Sequence, residues 1–167
     1  MKIRIYGAVL AMLAASASYA QSVNKGDQKI LADLAQANMA EVAAAKIALQ
    51  KSQSDDVKKF AQQMVDDHTK GLQEVQDVAK AKNVTLPTEP DAKHKKMADQ
   101  LNSLSGAAFD KTYLADAGVK DHKAAHSAVL SAEKKATDPD VKALAAKLQP
   151  VIDQHLQTVE KLASSKK

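Results

Sequence analysis

The chain has 167 residues, among them 24 basic and 20 acidic side chains, and it contains no cysteine. This is the length of one domain, and the lack of cysteine excludes disulfides and thiolate metal ligands. Arg4 is the only arginine, and lysines are mixed with acids along the sequence. A nucleic-acid binder is therefore not expected, because base and phosphate recognition relies on the bidentate geometry of arginine.

The first twenty residues have the parts of a secretory signal peptide. Lys2 and Arg4 are followed by an apolar stretch over residues 6–15 and then by Ser18-Tyr19-Ala20. A basic start, a short apolar core and small residues before the cleavage point are typical of such a peptide. The apolar stretch is shorter than the roughly 20 residues that a membrane-spanning helix needs. We expect cleavage after Ala20 and a single mature domain over residues 21–167, located in the periplasm or secreted.

The mature sequence predicts four long helices in two hairpins. Alanine and lysine dominate it, and apolar residues recur every three or four positions. Short turns separate the helices within each pair, which makes them antiparallel neighbours. The second turn, Thr137-Asp138-Pro139, combines a capping aspartate with proline at the first helical position. The helices are expected over residues 27–51, 56–82, 107–136 and 139–163.

The two hairpins resemble each other in sequence. Asp56-Val57-Lys58 in the first corresponds to Asp140-Val141-Lys142 in the second, and the later residues of both hairpins align without a gap. Residues 83–106 join the hairpins; they contain two prolines and then a weak helical period. Two hairpins joined by one long crossover define the ferritin-like arrangement. The sequence therefore predicts an all-α, ferritin-like four-helix bundle with a short helix in the crossover.

Five polar residues fall on the inward faces of these helices, close to half the height of the bundle. Counting from the turns at about 1.5 Å rise per residue brings them to one central layer. Imidazoles and a carboxylate suit zinc, copper or iron, so the layer is a candidate metal site. A buried hydrogen-bonded layer, with the glutamate and the first histidine as partners, is the alternative. The five residues are Glu41, His68, His122, His126 and His155.

Two further expectations concern histidine chemistry. A di-iron centre is not expected, since Val65 and Ile152 stand three residues before His68 and His155, where glutamates are needed. His94 lies among lysines in the crossover, and we expect it to be exposed.

Several of these features together resemble a known bacterial family. They include Lys59-Phe60-Ala61, Asp67-His68, Phe109-Asp110 with Tyr113, the histidine pair of the third helix, and His155-Leu156. The combination is similar to the exported family called domain of unknown function 4142, often described as outer-membrane proteins. The resemblance covers residues 29–162 and implies a ferritin-like fold and export. It implies no reaction and no catalytic residues.

We therefore expect an exported binding or envelope-stress protein rather than an enzyme. A metal-binding protein that uses the Glu/His layer is an alternative, as are a redox enzyme and an envelope scaffold. The expected partners exclude nucleic acid and leave open a homo-oligomer or contact with the cell envelope.

Overall fold

The computed structural model describes residues 23–165. The expected signal peptide and its cleavage point after Ala20 lie outside the described residues. Within these residues the chain is helical and contains no strand. No helix of this part is both long enough and apolar enough to cross a membrane.

Residues 23–165 form four long helical rods and one short helix. The third rod consists of two α-helices joined by a π-helical segment, so it is continuous from Gly106 to Lys135. The elements are α1 (Lys25–Lys51), α2 (Asp55–Ala81), α3 (Ala92–Ser103), α4 (Gly106–Tyr113), the π-helical segment (Leu114–Lys120), α5 (Asp121–Lys135) and α6 (Pro139–Ser165).

Side-chain caps explain where several helices begin. Asn24 accepts a hydrogen bond from the backbone N–H of Asp27 at 2.9 Å, and Asp91 accepts one from that of His94 at 2.9 Å. Asp138 accepts from the backbone N–H of Asp140 at 2.9 Å, ahead of α6. Each cap satisfies an N–H that has no partner inside its own helix.

The two hairpins pack side by side as the sequence predicts. α1 lies against α2, α5 lies against α6, and α2 packs on α6 to join the hairpins. The crossover helix α3 packs on α1 and buries Leu101. The prediction of an all-α, ferritin-like bundle is confirmed.

The apolar core of the described residues lies on both sides of a central polar layer. One cluster contains Ala45, Val57 and Phe60, near the turn between α1 and α2. The other contains Leu34 and Val75, toward the opposite end of the same hairpin. His68 lies between them in the sequence of α2 and is buried. A polar layer between two dry clusters must satisfy its hydrogen bonds internally or bind a ligand.

The π-helical segment distinguishes the third rod from the regular helix predicted over residues 107–136. Gly118 lies in this segment against α6, and a Cβ atom placed on it would stand 2.4 Å from Cγ2 of Val159. The absence of a side chain therefore lets α6 approach the segment closely. π-helical turns inside longer helices are frequent at functional sites.

Candidate metal centre

Three histidine side chains meet at the centre of the bundle. His68 comes from α2, His122 from α5 and His155 from α6. Their ring centroids are 5.2 to 5.5 Å apart, and all three residues are buried. One nitrogen from each ring lies within 4.8 Å of the other two nitrogens. We refer to these three residues as the triad.

In each triad ring, the nitrogen that contacts an oxygen of the protein is called the outer nitrogen, and the other is called the inner nitrogen. The outer nitrogen of His68 contacts a side-chain amide. Nδ1 of His68 lies 3.0 Å from Oδ1 of Asn38, whose amide nitrogen donates to the carbonyl of Leu34 at 2.8 Å. Because this second bond sets the orientation of the amide, Oδ1 is the acceptor and Nδ1 of His68 is the donor. Gly71 makes room for the amide, since a Cβ atom there would stand 2.6 Å from Oδ1 of Asn38.

The outer nitrogen of His122 is held by the π-helical segment. Nδ1 lies 2.9 Å from the carbonyl oxygen of Gly118 and 3.2 Å from that of Ala117. A carbonyl can only accept, so Nδ1 carries the proton. The π-helical turn thus places backbone carbonyls where they set the tautomer of this ring.

The outer nitrogen of His155 is held by a carboxylate. Nε2 donates to Oδ2 of Asp67 across 2.8 Å, which links α6 to α2. Asp67 is not among the five candidate residues of the sequence analysis, which therefore missed this role. Its position next to His68 is the feature that could have indicated it, because a carboxylate on a neighbouring helix commonly orients a ligating histidine.

The inner nitrogens of the triad have no hydrogen-bond partner among the described residues. They are Nε2 of His68, Nε2 of His122 and Nδ1 of His155, and all three atoms are buried. Since each outer nitrogen carries the ring proton, each inner nitrogen presents a lone pair. With one nitrogen of each ring within 4.8 Å of the other two, the three rings can serve together as ligands of one ion.

Burial keeps the three rings neutral at neutral pH. It is the largest cause of the lowered pKa of every triad member, and the pKa of His122 falls to about 4. The neighbouring rings lower the pKa of His68 further, while Asp67 partly offsets the effect of burial on His155. Neutral imidazole is the form that binds a metal ion.

Glu41 lies beside the triad but faces an outer nitrogen. Its Oε1 is 3.5 Å from Nδ1 of His122, so it neighbours His122 rather than pairing with His68 as the alternative interpretation expected. Burial, and then the charge of Asp121, raise the pKa of Glu41 well above its usual range. Burial thus favours the neutral form of this carboxyl group.

The positions of two other histidines differ from those that the sequence predicts. The structure places His126 away from the triad, half-exposed, with Nε2 3.2 Å from Asp153. His126 lies about 6 Å further along α5 than His122, and its imidazole pairs with Asp153 of α6 instead of joining the triad. His94 is not exposed: its side chain lies 2.9 Å from Asp91 and 3.5 Å from Asp121. The nearby carboxylate of Asp121 raises the pKa of His94 despite the partial burial of the ring.

The fold and this site define the class of the protein: an all-α helical bundle with a candidate metal centre of three imidazoles. The chain belongs to the DUF4142 family, a domain of unknown function, whose model matches residues 12–162. The resemblance seen in the sequence is thereby confirmed. No curated protein matches this sequence.

Several solved structures share the fold. A DUF305 fragment from Deinococcus radiodurans has a TM-score of 0.76 at 14% identity and covers 86% of this chain and 99% of its own. A DUF305 protein from Streptomyces coelicolor gives 0.72 at 12%, covering 84% and 91%. CopM in its Cu(II)-bound form gives 0.69 at 16%, covering 83% and 96%. At these identities the likeness shows the fold alone.

Proposed function

We propose that this protein is an exported metal-binding protein that holds one copper ion with His68, His122 and His155. The supporting observation is that the two nitrogens of each ring have different surroundings. The outer nitrogen donates to an oxygen of the protein, and the inner nitrogen is buried with a lone pair that has no partner among the described residues. Histidines that bind metals are held by the same kind of outer hydrogen bond.

A purely structural hydrogen-bonded layer explains this arrangement less well. Such a layer would place a donor opposite each buried acceptor, whereas here three buried acceptors on neighbouring rings have no donor among the described residues. A buried polar atom without a partner costs about 1–3 kcal/mol in folding free energy. A cation at the meeting point would satisfy all three lone pairs at once.

Copper is the metal that the ligand chemistry and the comparisons favour together. Imidazole binds zinc, copper, iron and nickel, and among divalent ions of the first row Cu²⁺ binds such ligands most tightly. CopM, which shares the fold, is known in Cu(II)-bound and Cu(I)-bound forms. Export of the chain, inferred from residues 1–20, would place the site outside the cytoplasm.

Metal content of the purified mature chain tests the proposal. The protein is incubated with equimolar Cu²⁺, Zn²⁺ and Fe²⁺, desalted and analysed for bound elements. We expect one copper per chain, and less than a tenth of that in His122→Ala and His155→Ala. His126→Ala is the matched control and should retain the copper. Wild-type protein without metal, or triad variants that bind as much as the wild type, would overturn the assignment; zinc in place of copper would overturn the choice of metal.

A further inference from the structure

A cavity of about 380 Å³ lies between α1 and α5, with α6 contributing to its lining. Along α1 the lining extends from Ile30 to Glu41, which is roughly 16 Å along the helix axis. α1 begins beside the end of α5, where Asp27 bonds to Thr137, so the two helices are antiparallel. Glu41 therefore lies toward Asp121 of α5, and we call the end formed by these two residues the inner end. The end near Ile30 is called the outer end.

The lining between the two ends is apolar and made largely of small side chains. α5 presents Ala125 and Ala128, α1 presents Leu34 and Ala37, and α6 presents Ile152. Methyl groups do not fill the gap between two helices, and α1 and α5 touch at few points. The resulting volume falls within the range of roughly 300–1,000 Å³ that is typical of small-molecule sites. An apolar chain can be buried along this part of the cavity.

The two charged residues at the outer end do not need a ligand. Asp33 is exposed and pairs with Lys29 at 2.7 Å. Lys135 is exposed as well and lies in the last turn of α5, where the helix dipole favours a cation. Water hydrates both charges, so the outer end is the side of the cavity that faces solvent.

Three carboxylates near the inner end already have partners in the protein. Lys93 donates to Oδ1 of Asp121 at 2.8 Å, and His94 lies 2.9 Å from Asp91. Asp67 accepts from the triad. Both cationic side chains at this end, Lys93 and His94, are thus already engaged with aspartates.

Glu41 is the carboxyl group at the inner end that lacks a donor. Its side chain is 9% exposed, it lines the cavity, and it accepts no hydrogen bond among the described residues. Nδ1 of His122 is 3.5 Å away but donates to the carbonyl of Gly118 instead. Oδ2 of Asp121 is also buried without a hydrogen bond. The inner end therefore has acceptor oxygens from both helices that no donor of the described residues satisfies.

An ammonium group matches this end of the cavity. A buried carboxylate without a partner costs free energy, and an ammonium group supplies both the opposite charge and N–H donors. A metal ion matches it less well, because within residues 23–165 only the triad brings three ligand groups within 4.8 Å of one another.

We propose that this cavity binds an organic cation with one ammonium group and an apolar chain. The ammonium group lies at the inner end between Glu41 and Asp121, and the chain lies along the alanines of α5. The site is separate from the metal centre, since the inner nitrogens of the triad are buried and take no part in it. Either proposal can therefore fail while the other stands.

The test compares three probes that differ in charge or in chain length. Octylammonium, 1-octanol and butylammonium are titrated calorimetrically into the mature protein, with a metal chelator present so that amines cannot bind copper. We expect one octylammonium per chain, bound roughly tenfold to a hundredfold more tightly than 1-octanol because of its charge. Butylammonium should bind at least about tenfold more weakly than octylammonium because it buries less apolar surface. Equal affinities of octylammonium and 1-octanol, or no saturable binding, would overturn the proposal.

Two acid-to-amide variants locate the ammonium group. Glu41→Gln removes the charge at the inner end and keeps the shape, so the affinity for octylammonium should fall to about that for 1-octanol. Asp33→Asn is the matched control, because Asp33 lines the same cavity at the outer end, and it should bind like the wild type. Loss of binding in Asp33→Asn with retention in Glu41→Gln would place the cation elsewhere and overturn the assignment.

A second pair of variants locates the apolar chain and decides the question if Glu41→Gln does not fold. Ala128 lines the cavity and is exposed, so Ala128→Phe narrows the space without entering the core. Ser127 is exposed but does not line the cavity, which makes Ser127→Phe the control. Ala128→Phe should weaken octylammonium binding at least about tenfold, and Ser127→Phe should leave it unchanged. Equal affinities of these two variants would overturn binding in the cavity.

Discussion

At the scale of single residues, the groups that orient the triad matter as much as the triad itself. Asn38, Asp67 and the carbonyl of Gly118 each accept the proton of one ring and thereby turn the other nitrogen inward. Without these acceptors the rings could take the other tautomer, and the inner nitrogen would carry a proton instead of a lone pair. The candidate site is thus made of six groups rather than three.

The carboxylate of Asp67 offers the cleanest test of this orienting role. Asp67→Ala leaves all three ligands in place but removes the acceptor of His155, and we expect copper affinity to fall roughly 10- to 100-fold. The side chain of Asp67 is 38% exposed, so the effect on stability should be small. Competition with a chromophoric copper chelator measures the change. Asp66→Ala is the control, since Asp66 instead accepts from Gln62 on the surface; equal affinities of the two variants would contradict the role of Asp67.

The lowered pKa of His122 predicts acid sensitivity of the metal-free protein. The pKa is about 4 in the folded chain against an ordinary value of 6.5, so between these values the unfolded chain binds more protons. Stability is therefore fully present above pH 6.5 and declines as the pH falls toward 4. Between pH 7.5 and 5.0 the wild type should lose about 2 kcal/mol more unfolding free energy than His122→Gln. Urea unfolding with a metal chelator in the buffer gives both values; equal losses would show that His122 is not buried and neutral.

At the scale of elements, the first helix is fastened to the turn of the second hairpin. Asp27, at the start of α1, is buried and accepts hydrogen bonds from the hydroxyl of Thr137 at 2.7 Å, from the N–H of Thr137 at 3.1 Å and from the N–H of Asp138 at 3.0 Å. This contact joins residues about 110 positions apart and locks the two hairpins at one end. It also lies far along α1 from Glu41, so it can be removed without touching the triad.

Removal of the Asp27 carboxylate should therefore lower stability and spare metal binding. Asp27→Ala leaves two backbone N–H groups near Thr137 without their acceptor, and we expect a loss of about 2–4 kcal/mol in unfolding free energy. Asp33→Ala is the control, because Asp33 is exposed and its pairing with Lys29 should contribute less than about 1 kcal/mol. Chemical denaturation checks the difference. A small loss in Asp27→Ala, or one matched by Asp33→Ala, would contradict the fastening role.

At the scale of the whole molecule, the triad connects both hairpins. His68 belongs to the first hairpin, and His122 and His155 belong to the second. An ion held by all three would join the hairpins at mid-height, in addition to the contact of Asp27 at one end. Because the ion binds the folded chain, it should stabilise the bundle as a unit.

Copper should accordingly raise the thermal stability of the mature protein. At free copper one hundred times the dissociation constant, the gain is about 2.7 kcal/mol, which corresponds to roughly 5–10 °C in Tm. Differential scanning calorimetry with and without Cu²⁺ measures the shift. His155→Ala should show no shift, whereas His126→Ala should shift like the wild type. A shift that survives in His155→Ala would mean that copper stabilises the protein from another site.

The sequence by itself determined the helices, their pairing into hairpins and the height of each polar residue. Periodicity and caps are local properties of the sequence. The rise per residue then predicts the height of a residue such as His68 or His155, which is the middle of the bundle. The tertiary structure decided the rest: the exclusion of His126, the place of Glu41 beside an outer nitrogen, the acceptors Asn38 and Asp67, and the π-helical turn at Gly118. Which ring nitrogen faces inward depends on rotamers and on partners from neighbouring helices. These rotamers and partners are decided by how the helices pack against one another, which the spacing of residues along a single helix does not predict.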